Sequence, residues 1–366
     1  MPDPEHIVPW DSDEWDGYVA GHPASTLYHT SQWCRIVAEI GGYIPHCWVT
    51  RENGRITGLL PALEVRSRLT GNRLVSLPFS DVCYPLANDA ATAQSLVRAA
   101  LNLRNDRRLA FFELRGAPAL PGVEDGSHET GLHEESVPER MDFQAKRHFY
   151  GYVVPLSTDT ESVRMTFRKK SIRQTISKSL KLGVTIRRGD DAHDLKTFYH
   201  LYALNRKRHG IPPQPYRLFT TIFATLRDEP EARLYIAEHE GQSIAALVVI
   251  RYNGVACAKY EGVDESCRHL LPVNPMFWQS IQDACVAGDH TYDFGRTAGD
   301  NRGLNEFKNR WGTRRIELPY FFYPAGEGLS VVKSNSLKYR LFTAAFQRMP
   351  LGLSIRVGER IFRHFG

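Results

Sequence analysis

The sequence predicts an α/β (α+β) protein built from two tandem units, each a mixed, mostly antiparallel sheet flanked by helices. Three observations predict it. The chain has 366 residues, more than one hydrophobic core usually organises, so two domains of similar size are expected. Strand-like runs meet at Asn53-Gly54, Glu240-Gly241 and Asn253-Gly254, where tight hairpin turns are expected. One order of elements, a hairpin, a further strand, a helix and a strand, occurs twice with almost no side chains repeating in register. That is duplication at the level of fold.

Composition sets the broad class. Hydrophobic residues at 42% and charged residues at 24% are ordinary for a soluble globular chain. The net charge of +5 is modest, but its cations gather in two segments. Six cysteines are scattered without a CxxC pair or metal-ligand spacing, as expected of buried thiols in a reducing compartment. The N-terminus is acidic and polar where a signal peptide would be basic and then apolar, and no apolar run is long enough to span a membrane. A cytoplasmic protein is expected.

In chain order, Trp33, Ile36, Val37 and Ile40 form one helix face that Gly41-Gly42 ends, with Arg35 on the opposite face. Two strands around Asn53-Gly54, a third within NRLVSLPFSDVCYPL that ends in a loop containing Pro78, Asp81 and Pro85, a helix over Ala90–Arg104 and the strand LAFFELRG complete the first unit. Pro118–Gln144 reads as a surface loop before the strand RHFYGYVVPL. Strands around Glu240-Gly241 and Asn253-Gly254, the helix PMFWQSIQDACVAG and the strand TYDFG repeat the order. The expected boundaries are 1–150 for the first domain, 151–328 for the second, which carries the site, and 329–366 for a basic amphipathic tail.

The stretch 291–324, TYDFGRTAGDNRGLNEFKNRWGTRRIELPYFFYP, holds the candidate chemistry. Asp293 ends a short strand that breaks at Gly295, Gly299 and Gly303, a common way to build a site. Leu304, Phe307, Lys308 and Trp311 recur at helical spacing, Gly312 stops the helix, and Ile316, Leu318, Tyr320 and Phe322 read as a closing strand. The YDFG strand, the glycine loop and the GLNEFKNRWGT run resemble the C-terminal part of the Fem-type acyltransferases, relatives of the GNAT fold. That family includes aminoacyl-tRNA-dependent enzymes that form peptide bonds. The resemblance extends over about 25–324 and implies tandem GNAT-like domains. It makes Lys308, of the F-K pair, the group that lies against the transferred moiety.

Two further segments fit the resemblance. Residues 164–188 carry Arg164, Arg168, Lys169, Lys170, Arg173, Lys178, Lys181, Arg187 and Arg188 without an acid, beside an apolar seam of Met165, Ile172, Ile176 and Leu180. One amphipathic helix with a cationic outer face is expected, matched to phosphate on tRNA, a nucleotide-sugar diphosphate or a lipid pyrophosphate. Asn205–Gly210 resembles the family's T-x-x-R-x-G segment, which implies acceptor-phosphate binding by Arg208, with Asn205 in place of the usual threonine. The tail interleaves Leu341, Phe342, Leu353 and other apolar residues with arginines. It either docks on the second domain or touches an anionic membrane, which would place the protein peripherally at the inner membrane surface.

The sequence contains no GxSxG elbow, HExxH, Walker A motif or Rossmann fingerprint. Direct transfer chemistry fits better, with two substrates held together and developing charge stabilised. Asp293 and Glu261, each at a strand end, are candidates to orient or deprotonate an amine. Lys308 and Arg296 are candidates to stabilise the oxyanion or leaving phosphate. Arg208, Arg35, Arg168, Lys169, Lys170 and Arg173 are candidate phosphate contacts, with Phe307 and Trp311 lining the site or the core.

The expected function is N-acyl transfer to an amine acceptor, small or lipid-linked, on a cell-envelope or polysaccharide/peptidoglycan precursor. No tightly bound cofactor or metal is expected, since the acyl donor is a co-substrate. The Q/R-x-x-G-x-G/A pattern that binds coenzyme A pyrophosphate matches only Arg251–Ala256, inside a hairpin turn. This favours aminoacyl-tRNA over acyl-CoA, although the helical hairpin that many cell-wall Fem enzymes insert is not visible. An acetyl-CoA-dependent GNAT enzyme and a non-catalytic scaffold of an envelope polysaccharide pathway are the alternatives.

Overall fold

The computed structural model describes residues 3–10, 12–116, 141–326 and 337–364, side chains of 337–340 excepted. Most of the loop expected at Pro118–Gln144 and the start of the tail lie outside them. The chain divides into one unit of Met1–His148, Leu318–Ser330 and Ile361–Gly366 and another of Phe149–Glu317 and Val331–Arg360. Both contain mixed, mainly antiparallel sheets with flanking helices. No helix among the described residues is long and apolar enough to cross a membrane.

In the first unit, β1 (Glu5–Ile7) leads to α1 (Asp13–Gly21), where the Ser12 side chain caps the helix by accepting from Trp15 N. Helix α2 (Ser31–Gly41) is capped by Thr30 and stopped at Gly42, whose φ of 63° suits a residue without a side chain. After β2 (Ile44–Pro45), strands β3 (Cys47–Glu52) and β4 (Arg55–Leu60) form the hairpin expected at Asn53-Gly54. Both turn residues have positive φ, 51° and 78°. The remaining elements are β5 (Leu63–Val65), β6 (Arg73–Val75), β7 (Leu86–Ala87), α3 (Ala90–Asp106) and β8 (Phe112–Arg115). The third strand is short, Arg73–Val75, and gives way to the loop expected around Pro78, Asp81 and Pro85. Leu96, Val97, Ala100 and Leu101 of α3 close a core with Leu60, Leu74 and Phe112.

The second unit takes the inner part of β9 (Gln144–Pro155), then α4 (Thr160–Thr166), α5 (Gln174–Lys181), β10 (Thr185–Gly189), α6 (Ala192–Arg208) and α7 (Tyr216–Thr225). Strands β11 (Glu231–His239), β12 (Gln242–Tyr252) and β13 (Val255–Val263) follow, then α8 (Val273–Val286), β14 (Thr291–Asp293), β15 (Thr297–Ala298) and α9 (Arg302–Asn309). Strand β16 (Arg314–Tyr323) and the tail helices α10 (Leu337–Arg348) and α11 (Leu351–Ile361) complete the chain. Strands β10 to β13 are antiparallel neighbours, β14 is parallel to β13, and β9 is antiparallel to β14. The side-chain period of two gives β12 two buried faces. Ala245, Leu247 and Val249 join α5 and α8 in one core, and the alternate residues are buried too.

Helix α6 lies against β13 because Gly262 leaves room for it. A Cβ there would fall 2.3 Å from Tyr202 N and 2.5 Å from Leu201 C, both backbone atoms that cannot swing away. Gly262→Ala is therefore expected to cost about 1–3 kcal/mol through forced separation of helix and strand, read as a lower urea midpoint. An unchanged midpoint would show that the contact yields without cost.

Candidate active site

The sheet of the second unit opens where β13 and β14 part. Their pairing is confined to Val255–Cys257 against Thr291–Asp293. Strand β14 ends there, while β13 runs on to Val263 without a strand partner on that side among the described residues. Glu261 stands on this unpaired stretch.

The loop after β14 is built by its own acid. Asp293 Oδ1 accepts a hydrogen bond from Gly295 N at 2.7 Å, a side-chain turn that reverses the chain. Gly295 has φ 72°, a region that favours glycine. Its carbonyl oxygen accepts from Lys308 Nζ at 2.7 Å.

Lys308 comes from α9, which Asn301 caps by accepting from Leu304 N at 3.2 Å. Trp311, fully buried among Phe167, Phe277 and Phe294, fixes the helix end to the core. Three residues earlier on the same face, Lys308 is turned inward and is only 5% exposed. Its Nζ lies 5.7 Å from the centre of the Tyr152 ring. Phe307 is half-buried against Phe277 and Trp311, while Leu304 and Ile316, on the helix and strand expected, are exposed. Lysine inside an aromatic shell is costly unless its charge is answered.

Glu261 answers part of it. The residue keeps some surface exposed, yet burial pushes its pKa up to about 7, against the downward pull of the Lys308 and Arg208 charges. Among the described residues its carboxyl group accepts no hydrogen bond. A carboxyl that is neither hydrogen-bonded nor fully ionised near neutral pH can exchange a proton with a ligand.

Arg208, at the end of α6, is 43% exposed, pairs with Glu265 at 3.1 Å and donates to Asn205 Oδ1 at 3.3 Å. Asn205 also donates to the Glu261 carbonyl at 3.4 Å, so it holds both charges in one neighbourhood. Arg296 lies with its guanidinium 4.3 Å from the Phe149 ring centre, a cation–π contact. The structure thus gathers Glu261, Lys308 and Arg208 electrostatically, with Asp293 shaping the adjacent turn. Arg35 belongs to the first unit, where it pairs with Glu39 one turn on.

The basic segment departs from expectation. A single helix is replaced by α4, a break at Phe167, a π-helical turn over Lys169–Arg173, and α5. The cause is Phe167, which turns into the core against Trp278 and Trp311. Only Ile172 and Ile176 of the expected seam are buried, whereas Met165 and Leu180 are 57% and 50% exposed. Arg187 pairs with Asp194 and Glu238, and Arg188 with Asp283, so partners distant in sequence neutralise the last two cations. Arg164, Lys169, Arg173, Lys178 and Lys181 line a groove of about 530 Å³ with Glu161 as its one acid among the described residues. Arg168 and Lys170 are exposed on the same turn.

Four neighbours were absent from the sequence reading. Tyr152 OH donates to Asn305 Oδ1 at 2.7 Å, and Arg315 hydrogen-bonds the same hydroxyl while stacking 4.5 Å from the Tyr150 ring centre. Thr297 Oγ1 is buried without a partner among the described residues. Asn305 sits three residues before Lys308, a spacing that could have drawn attention to it.

Residues 166–309 match the acetyltransferase (GNAT) domain family. A lipid II:glycine glycyltransferase of Staphylococcus aureus is 21% identical over 246 residues, 62% of this chain and 53% of the relative. The crystal structure of FemX superposes with a TM-score of 0.68 at 16% identity, over 87% of this chain and 96% of that one. Residues 166–309 thus carry a GNAT domain, and the chain resembles the Fem-type proteins in sequence and fold. A tandem GNAT protein from the clavulanic acid biosynthesis pathway also shares the fold, with a TM-score of 0.51 at 12% identity over 90% of this chain and 100% of that one. The chain spans about half the length of the curated relatives it matches. Arg251, on β12, pairs with Asp289 at 2.6 Å and Glu231 at 2.9 Å.

Proposed function

We propose that this protein is an N-acyltransferase that joins an aminoacyl or acyl group to an amine of a peptidoglycan precursor. The observation that carries the reading is Glu261 beside the Lys308 and Arg208 charges where β13 and β14 separate. In the transfer, the amine nitrogen attacks the activated carbonyl. A C–N bond forms and the ester C–O bond, or thioester C–S bond, breaks. Glu261 accepts the proton the amine loses and passes it to the leaving oxygen or sulfur, and Lys308 stabilises the oxyanion. Asp293 holds the turn that presents the Gly295 carbonyl to Lys308. Arg208 binds acceptor phosphate, and Arg296 serves the leaving group.

Aminoacyl-tRNA is the favoured donor. The Lys169–Lys181 groove supplies cations for a polyphosphate strand, and the connection into α8 contains no glycine. The resemblance to a lipid II:glycine glycyltransferase supports a peptidoglycan acceptor.

The test supplies purified protein with a mixed aminoacyl-tRNA pool or with acetyl-CoA, each with an amine-bearing peptidoglycan precursor, and follows the new amide by mass spectrometry. Amide from aminoacyl-tRNA, lost steeply as salt rises, is expected. Product from acetyl-CoA alone would replace the donor, and no product from either would leave a scaffold protein.

A further inference from the structure

We infer that the outer face of the tail helices α10 and α11 docks on an anionic lipid bilayer. The tail has two faces. Inward, Phe346 is buried, Gln347 Nε2 donates to the Arg208 carbonyl at 3.0 Å, and Gly358 fits where a Cβ would lie 2.3 Å from the Pro213 carbonyl oxygen. Gly210 makes the matching approach to Thr343, 2.7 Å from its carbonyl oxygen by the same measure. The tail is thus fitted to the segment that follows α6, the first of the two arrangements expected for it.

Outward, the packing leaves apolar surface in water. Leu341 is 62% exposed and Leu353 49%, whereas Phe342, partly exposed, packs against Phe346 of the inner face. Arg348 follows Leu341 by two turns, and Arg356 and Arg360 follow Leu353 at helical spacing, all exposed. Between residues 341 and 363 the only acid is Glu359. Leucines ringed by arginines match a bilayer surface, where the aliphatic groups enter the acyl boundary and the guanidinium groups meet lipid phosphate. An RNA backbone would use the arginines but has no use for Leu341 and Leu353. Because the inner face holds the Arg208 carbonyl, docking would bring the membrane beside a candidate phosphate ligand, which suits an acceptor carried on lipid. That last point rests on the proposed transfer reaction, whereas the docking surface does not.

The experiment is co-sedimentation of the whole protein with phosphatidylglycerol–phosphatidylcholine vesicles, with phosphatidylcholine vesicles and with tRNA. Binding to the anionic but not to the phosphatidylcholine vesicles is expected, whatever the affinity for tRNA through the Lys169–Lys181 groove. Arg348→Gln, Arg356→Gln and Arg360→Gln should each weaken it about fivefold. Leu341→Ser with Leu353→Ser should weaken it further and make the remainder more sensitive to salt. These residues are exposed, so an unchanged thermal midpoint is the control for folding. Equal partitioning to both vesicle types, no sedimentation, or a loss confined to tRNA binding would each overturn the proposal. The assay reads binding without turnover, so its failure would leave the transfer reaction standing, and failed transfer would leave the docking result standing.

Discussion

Replacing Lys308 with alanine is expected to lower kcat/KM for amide formation by about 10²–10³, the usual loss when one preorganised oxyanion donor is removed. The ammonium is 5% exposed and already oriented by the Gly295 carbonyl at 2.7 Å, so little reorganisation accompanies charge development. Two variants separate chemistry from packing. Lys308→Met keeps the aliphatic stem and should retain the fold while losing activity to the same degree. Lys308→Arg keeps the charge but puts a planar fork into a space shaped for one point donor, and should restore little. The Met variant with a native thermal midpoint and near-native kcat/KM would assign Lys308 to structure alone.

Much of the fold was legible because its signals are local. Asn53-Gly54, Glu240-Gly241 and Asn253-Gly254 all adopt the positive φ values expected of such turns, and α3 forms where a helix over Ala90–Arg104 is expected. The break at Phe167 was not legible. Helical spacing predicts a continuous 164–181 helix, but an aromatic residue buried against Trp278 and Trp311 redirects the chain, and those partners lie more than a hundred positions away. Charge pairing failed in the same way. A stretch without acids says nothing about Asp194, Glu238 and Asp283, which neutralise Arg187 and Arg188 from other elements.

The site was legible to the level of residue type. Lysine between aromatics and acids at strand ends could be named as candidates, since charge in apolar surroundings is costly and is kept for a reason. The different surroundings of Asp293 and Glu261 could not be read from spacing. Both stand at or near strand ends, but one carboxylate is bound to the Gly295 amide while the other accepts no hydrogen bond among the described residues. Which acid is tied and which can exchange a proton depends on where β13 and β14 cease to pair.

Glu261→Gln is expected to lower activity and raise stability together. Burial sets the folded-state pKa of Glu261 at about 7, above the ordinary value of 4.5. The base form therefore predominates only above that pH, and kcat/KM should climb through an apparent pKa near 7 to a plateau. In the glutamine variant this limb should vanish and the plateau fall by about 10²–10⁴. The stability effect has the opposite sign. A raised pKa means the folded state holds a proton that the unfolded chain releases from about pH 4.5 upward. Its stabilising contribution is complete below that pH and is lost as pH rises to about 7, beyond which the fold carries an ionised, poorly solvated carboxylate. Glutamine removes that cost, so the variant should gain on the order of 2–3 kcal/mol relative to the parent at pH 8 and nothing at pH 4. Urea titrations at the two pH values measure the difference directly. A side chain kept against a stability cost is expected where function needs it, whereas a glutamine variant that loses stability at pH 8 and keeps its pH–rate profile would show that Glu261 supports the fold and takes no proton from the amine.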